Sequence, residues 1–436
     1  MIDFARYHNR LAGIDTLKMV GTIHKAVGLV IESKGPPVRV GDICDIVDDV
    51  ESEISSVEVI GFRDKTVLSM PLGKLQGVKL GNKVVARSRP AVVRVGPNLL
   101  GRVLDGMGNP LDSIGALDFE AEYPLNREPE NPLHRQNIEE PLGTGVRSID
   151  GTLTCGKGQR IGIFGGSGVG KSTLLGMMAK YTNADVNVIA LVGERGRELR
   201  SFIEKDLGED GLKRSVVVVS TSDNPPLVRI RAALTATVIA EYFKDQGKDV
   251  LLVMDSVTRF AMAQREVGLA AGEPPTSKGY TPSVFALLPK LLERAGNFQG
   301  KGSITGFYTV LVEADDMNDP IADSVRAILD GHIVLNRELA ARNHYPCIDI
   351  LNSTSRLFGD LASAKQRESA GKLRELLATY KKAEDLINIG AYVKGSNPQI
   401  DHAIEKIDPI NSFLRQPQNE KVTFHGAVGA LGDLFQ

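Results

Sequence analysis

Between residues 20 and 90, apolar and polar positions follow one another in short runs. Val57-Glu58-Val59 alternates, Thr66–Met70 and Val84-Val85-Ala86 are β-rich, and Gly35-Pro36-Pro37, Gly41-Asp42 and Gly81-Asn82 break the runs. Short strands at this spacing predict a small closed barrel, which removes exposed strand edges, or an open sheet packed on its neighbour. From about 90 to 360 the pattern changes to continuous apolar runs: Arg160–Phe164, Val186–Val192, Val216–Val219, Val250–Met254 and Phe307–Val312. Such runs suit parallel strands covered on both faces. Arg229–Phe243 and Ser283–Glu293 read as helices between them, the alternation of an α/β nucleotide-binding domain. Beyond residue 361, Leu373, Leu376, Leu377 and Tyr380 lie on one face of an amphipathic helix. Asp401–Ile407 and Pro409–Leu414 read as further helices, with Gly390, Gly395 and Pro398 as breaks. Ahead of the β-rich block, Ile2, Ala5, Leu11 and Ile14 have roughly helical spacing, either an amphipathic arm or a frayed terminus. The expected division is an arm at 1–20, a β domain at 21–90, an α/β domain at 91–360 and a helical domain at 361–436.

Composition narrows the function classes. The net charge of −2 on 436 residues argues against a surface built throughout to hold nucleic acid, though not against a local basic groove. Hydrophobic residues at 42% and charged residues at 24% exclude extensive disorder. No apolar stretch is long enough for a transmembrane helix, and Met1–Arg6 lacks the pattern of a secretory signal. Cys44, Cys155 and Cys347 are far apart and without metal-like spacing, as expected of a reducing cytoplasm.

The chemistry begins at Gly165-Gly166-Ser167-Gly168-Val169-Gly170-Lys171-Ser172, which satisfies the phosphate-binding G-x-x-x-x-G-K-[ST] pattern. It follows an apolar run and precedes a helix-like stretch from Thr173 to Lys180, the strand–loop–helix context that the motif requires. Glycines let backbone N–H groups wrap a phosphate, and the helix N-terminus adds positive potential. Lys171 is placed to reach the β- and γ-phosphates of ATP, and the Ser172 hydroxyl to ligate Mg²⁺. Val250–Asp255 is an apolar strand ending in an acid, and Asp255 is the second candidate Mg²⁺ residue. Glu194, in Val192-Gly193-Glu194-Arg195-Gly196-Arg197-Glu198, follows another apolar strand. A carboxylate there lies at the strand edge that carries the P-loop and could activate the attacking water. A surface Glu–Arg cluster is the alternative.

These motifs occur in the order in which catalytic subunits of rotary ATP synthases carry them. So do Asp255-Ser256-Val257-Thr258-Arg259 and Tyr345-Pro346 through Ser353-Thr354-Ser355-Arg356. Gly101–Asp105, Gly145–Asp150, Gly158–Phe164, Gly272-Glu273-Pro274-Pro275 and Asp315–Ser324 bring the chain closer still to the ATPases of type III protein export. Within that group it is most similar to the flagellar branch, with the virulence-secretion (injectisome) branch second. The resemblance runs from about residue 20 to the C-terminus. It implies an α/β RecA-like P-loop core between an N-terminal small β-barrel and a C-terminal helical domain, and a homohexameric ring with ATP/ADP and Mg²⁺ sites between subunits. By the same resemblance Glu194 is the catalytic carboxylate and Arg356 the arginine finger of the neighbouring subunit. Tyr345 stacks on adenine and Phe413 is a second adenine neighbour, with core packing as the alternative for both rings. One departure is Ser172 followed by Thr173, where rotary catalytic subunits usually have Thr directly after the lysine; either hydroxyl can ligate Mg²⁺.

The implied activity is ATP hydrolysis that energises flagellar protein export by unloading substrates from their chaperones. The implied location is cytoplasmic, peripheral to the membrane at the export gate, with a stator protein on the N-terminal arm. The turn-rich segments Gly272–Tyr280 and Asp315–Asp319 are expected to line a central pore and meet a coiled-coil stalk. Asp315, Asp316 and Asp319 there would form an acidic collar, or alternatively serve as turn and cap formers. Two other classes compete. A hexameric nucleic-acid motor would need basic and aromatic residues together, which the β-rich block lacks, so no nucleic-acid partner is expected. A non-hydrolysing ring subunit would lack Glu194 or Lys171.

Overall fold

The computed structural model describes residues 18–48, 52–87, 90–312 and 316–436; the N-terminal arm expected at 1–20 lies almost wholly outside them. The β-rich block closes on itself. Its strands run in the spatial order Val20–Val27, Val30–Lys34, Thr66–Pro71, Glu53–Arg63, Ile43–Val47 and Lys83–Ala86, each antiparallel to the next, and the last pairs with the first. Ile23, Ile31, Cys44, Ile46, Val57, Val59, Val67 and Val84 fill the interior. These are alternate positions along their strands, because successive side chains point to opposite sides of a pleated strand. Met70 points outward into the core of the next domain. An ion pair from Glu58 to the buried Arg231 at 2.7 Å joins the two domains there.

The central domain is built on one mixed sheet. Across it lie Thr354–Ser355, Gly331–Val334, Arg160–Gly165, Ser303–Leu311, Val250–Asp255, Val186–Glu194, Ser215–Thr221 and Val103–Asp105, with Gly296–Asn297 pairing beside Ser303–Leu311. All pairs are parallel except the two made by Thr354–Ser355 and Gly296–Asn297. Both faces are buried, as the unbroken apolar runs require. Val188, Ala190 and Val192 point into one core under helix Pro226–Asp245. Ile189 and Leu191 point into the other, under helix Lys171–Tyr181.

Three helices, Ala364–Asn388, Pro398–Leu414 and Phe424–Asp433, make the C-terminal domain. Ser363, Asn397 and Thr423 cap them through their side chains. The two short helices expected at Asp401–Ile407 and Pro409–Leu414 are one. Pro409 removes a single intrahelical hydrogen bond, at a cost of about 3 kcal/mol, but Ala403, Ile410, Phe413 and Leu414 stay on one buried stripe across it. The domain packs on the P-loop face of the sheet, so its second helix reaches the nucleotide-binding end of the molecule.

Candidate functional site

The parallel strands bring their C-terminal ends to one edge, and the motif residues collect there. Gly165 ends its strand and Lys171 begins the following helix. Gly168 and Gly170 adopt φ of 79° and 82°, a region in which only glycine is unstrained. Lys171 is buried, and its Nζ donates to the Gly165 carbonyl at 3.1 Å and to that of Gly166. The ammonium is thus held on the loop that a phosphate tail would fill. Burial lowers its pKa, against the opposing pull of Asp255 and Glu194.

Asp255 and Glu194 stand in order along the same edge. One strand, Ser303–Leu311, separates Val250–Asp255 from the P-loop strand, and Val186–Glu194 is the next beyond. At a strand spacing of ~4.8 Å, Asp255 is offset ~10 Å and Glu194 ~14 Å from the P-loop strand. Leu191 is paired with Asp255, so Glu194 reaches three residues further out. Asp255 is buried, and its Oδ1 accepts a 2.6 Å hydrogen bond from Thr309 Oγ1 on the intervening strand. Burial raises its pKa, opposed by the Thr309 bond and by Lys171. Glu194 is raised to about 7, first by burial and then by the charge of Asp255, with Arg259 and Lys171 pulling it down. A carboxyl group poised near neutrality is suited to take a proton from water.

The metal pattern fits a nucleotide-carried ion. Among the described residues no cluster of three His, Cys, Asp or Glu could hold a metal by itself. The donors here are hard oxygens: the Asp255 carboxylate and the solvent-facing Ser172 hydroxyl. Mg²⁺ characteristically takes one or two such groups and completes its shell with phosphates and water.

A cavity of about 240 Å³ opens on the other side of the P-loop, lined among others by Gly168, Gly170, Thr173, Tyr345, Gln416 and Gln418. Tyr345 is 43% exposed and packs beside Gly170. Phe413 is not in this cavity. It is a core residue, 4% exposed, whose ring fills the space left by the missing side chain of Gly151. The expectation that it neighbours adenine is therefore corrected: the helical register turns it inward. Gln416, three residues on, lines the cavity. Its main-chain N–H donates to the Tyr345 carbonyl at 2.9 Å, its Nε2 donates to the Gly145 carbonyl at 2.9 Å, and its Oε1 accepts from Arg147 N at 2.7 Å.

Arg356 lies elsewhere. It follows the edge strand Thr354–Ser355, and its N–H donates to the Asp330 carbonyl at 3.0 Å, next to the start of the P-loop strand at Arg160. Five residue steps at ~3.3 Å, or ~16 Å, separate Arg160 from Gly165. Its side chain is exposed, reaches only the Arg326 carbonyl, at 3.5 Å, and pairs with no carboxylate among the described residues. It cannot serve the P-loop of its own chain.

Sequence reasoning gave no role to Arg259, which shares the electrostatic environment of Glu194 and Asp255, or to Thr309 and Gln416. The signal for Thr309 was present, as a polar residue inside an apolar run. In the turn-rich segments, Asp319 Oδ1 caps helix Pro320–Ile328, the cap role that stood as the alternative for these carboxylates. Lys278 reaches across to Asp319 at 3.1 Å and to Asp316 at 3.7 Å, one cation facing two carboxylates. Asp315 lies outside the described residues.

The comparisons agree with this geometry. The ATP synthase alpha/beta family nucleotide-binding domain matches residues 145–355, and the T3SS EscN ATPase C-terminal domain matches residues 362–433. The chain is 54% identical over 423 residues to the flagellum-specific ATP synthase of Bacillus subtilis (strain 168), spanning 96% of each. Among solved structures it is similar to the assembled ATPase EscN of the enteropathogenic E. coli type III secretion system. That likeness has a TM-score of 0.90 and 48% identity, covering 95% of this chain and 99% of that one. EscN in complex with its central stalk EscO gives a TM-score of 0.87 and 46% identity, over 95% and 99% of the two chains.

Proposed function

The chain belongs to the ATP synthase alpha/beta family, in its flagellar and type III secretion branch, and from that premise we propose that it is a homohexameric ATPase that energises flagellar protein export. The single observation that carries the ring is the separation of Arg356 from its own P-loop. One chain carries the P-loop and Arg356 at opposite ends of nearby strands of one sheet, so each site is completed by a second copy.

In this reading the P-loop N–H groups and Lys171 hold the phosphates, with the Lys171 ammonium moving from the Gly165 and Gly166 carbonyls to the β- and γ-oxygens. Ser172 and Asp255 would hold Mg²⁺, which would supply charge neutralisation to the phosphates. Thr309 fixes the Asp255 carboxylate through its hydrogen bond to Oδ1. Glu194 orients the attacking water and accepts its proton. Arg356 of the next subunit neutralises charge spreading onto the transferring phosphoryl oxygens, an effect worth roughly 10³–10⁵ in rate for arginine fingers. Tyr345 stacks on the base, and Gln416 fixes the loop that carries it.

The flagellar assignment is supported by the higher identity to the flagellum-specific relative than to EscN. A central stalk is proposed by analogy with the EscN–EscO complex, meeting this chain at Gly272–Tyr280 and Asp316–Asp319, the loops clasped by Lys278. Export chaperones with their cargo, a stator protein at residues 1–20 and a membrane export gate complete the proposed partners. Among the described residues no helix is long and apolar enough to cross a membrane, in keeping with peripheral attachment. The test is a complementation experiment. Arg356→Ala and Glu194→Gln chains are each expected to be inactive and, mixed, to regain turnover. No rescue in demonstrably mixed rings would remove the shared site.

A further inference from the structure

Among the side chains that join the C-terminal domain to the catalytic domain is a cation with no counter-ion among the described residues. Arg374, in the middle of helix Ala364–Asn388, directs its guanidinium into a cage of main-chain oxygens. Nη1 donates to the carbonyls of Ile350 at 3.0 Å and Ser353 at 3.3 Å, and Nη2 to that of Thr152 at 3.1 Å. Burial alone sets its environment, lowering its pKa, and no carboxylate pairs with it among the described residues. A half-buried charge without a partner is costly, and a surface helix needs no such group merely to pack: Leu373 and Leu376 beside it already bury the apolar face. Two of the three cage oxygens lie together, while Thr152 ends the helix Arg147–Thr152. Ile350 and Ser353 bracket the turn that leads into Thr354, Ser355 and Arg356. That turn is fixed internally, since Ser353 Oγ accepts from Val334 N at 2.9 Å and donates to the Asp349 carbonyl at 2.6 Å. Ser355 Oγ then donates to the Thr154 carbonyl at 2.9 Å. The segment from Ile350 to Arg356 is therefore tied together by its own hydrogen bonds, and Arg374 holds it by polar contacts from the C-terminal domain.

We infer that Arg374 is a positioning residue for the arginine finger: it fixes Arg356 against the neighbouring subunit's nucleotide and makes the orientation of the C-terminal domain felt at that interface. This rests on the reading of Arg356 as a finger acting in trans. The planar fork of arginine suits three carbonyls in a way that a lysine ammonium on a single stem does not. A displacement of about 1 Å in a catalytic group can cost on the order of 10²-fold in rate.

The experiment uses assembled full-length rings. Arg374→Gln is expected to lower kcat by roughly 10–100-fold while leaving the KM for ATP and the nucleotide affinity of the unassembled chain within about twofold. Arg374→Lys, which keeps the charge, is expected to recover part of the loss and guards against a folding defect in the first variant. The deciding readout is the complementation class. Mixed with Glu194→Gln chains, which carry an intact finger side, Arg374→Gln chains should regain turnover. Mixed with Arg356→Ala chains, which fail on the same side, they should not. Rescue by Arg356→Ala, or rescue by neither partner in mixed rings, would overturn the inference. If the Glu194→Gln and Arg356→Ala chains do not complement each other, it is the trans finger that has failed, and the two failures stay distinct.

Discussion

Glu194→Gln should make the nucleotide-free protein more stable, and by an amount that depends on pH in a stated direction. The wild-type carboxyl is raised from 4.5 to about 7 by burial and by Asp255. Unfolding releases it to ordinary acidity, so above pH 4.5 the unfolded chain gains ionisation that the folded chain resists. Stability is lost through this group as pH rises through the window from about 4.5 to 7, and the loss is complete above it. At 1.36 kcal/mol per unit, the full effect near pH 8 is about 3 kcal/mol, against less than 1 kcal/mol near pH 5. Glu194 is only partly buried, so solvent screening reduces the expected difference at pH 8 to about 1–2 kcal/mol. The neutral amide has nothing to ionise and escapes the whole cost. The assay is thermal or urea unfolding of both proteins without nucleotide, at pH 5 and pH 8. The expected result is a clear stabilisation of the variant at pH 8 and a small one at pH 5. Equal stabilisation at both pH values, or a less stable variant at pH 8, would refute the assignment of Glu194 as a carboxyl held near neutrality by its site.

The same group sets a rate profile: kcat/KM should fall below about pH 7, by up to tenfold per unit as Glu194 protonates, while the residual activity of Glu194→Gln stays flat in a steady-state pH series. Lys171→Ala should lose ATP affinity where Glu194→Gln retains it and loses turnover; equal loss of binding in a fluorescent-nucleotide titration would count against that division. Thr309→Val removes a hydrogen bond to a buried carboxylate, worth about 1.5–3 kcal/mol, and should weaken Mg²⁺ dependence by roughly tenfold or more in a metal titration of ATPase rate. Tyr345→Ala should raise the KM for ATP and loosen base selectivity with little change in melting temperature. Phe413→Ala should do the reverse, losing about 3–5 kcal/mol of stability with selectivity intact, and a selectivity loss there would restore it to the adenine site.

What the sequence determined by itself was local. Strand, glycine loop, lysine and helix follow one another without a break from Arg160 to Tyr181, so the phosphate cradle was complete on reading. The apolar runs ending near Glu194 and Asp255 announced strand ends, and in a parallel sheet strand ends share one edge. The amphipathic stripe of Leu373, Leu376 and Leu377 likewise fixed a helix and its buried face. Only the tertiary structure decided matters that depend on residues far apart in the chain. Phe413 and Gln416 both follow an apolar stripe, yet one packs on Gly151 and the other bonds Gly145, 271 residues away. The side to which each turns depends on how the C-terminal helices dock. Lys278 and Asp319 carry no pattern that links them, and their loops meet because two sheet strands bring them together. The distance of Arg356 from its own P-loop follows from the antiparallel turn of one two-residue edge strand, too short to leave a hydrophobic signature. Arg374 had no signal of any kind. A lone arginine on the flank of a helix reads as a solvated charge, and only the convergence of three carbonyls from two distant segments gives it a place.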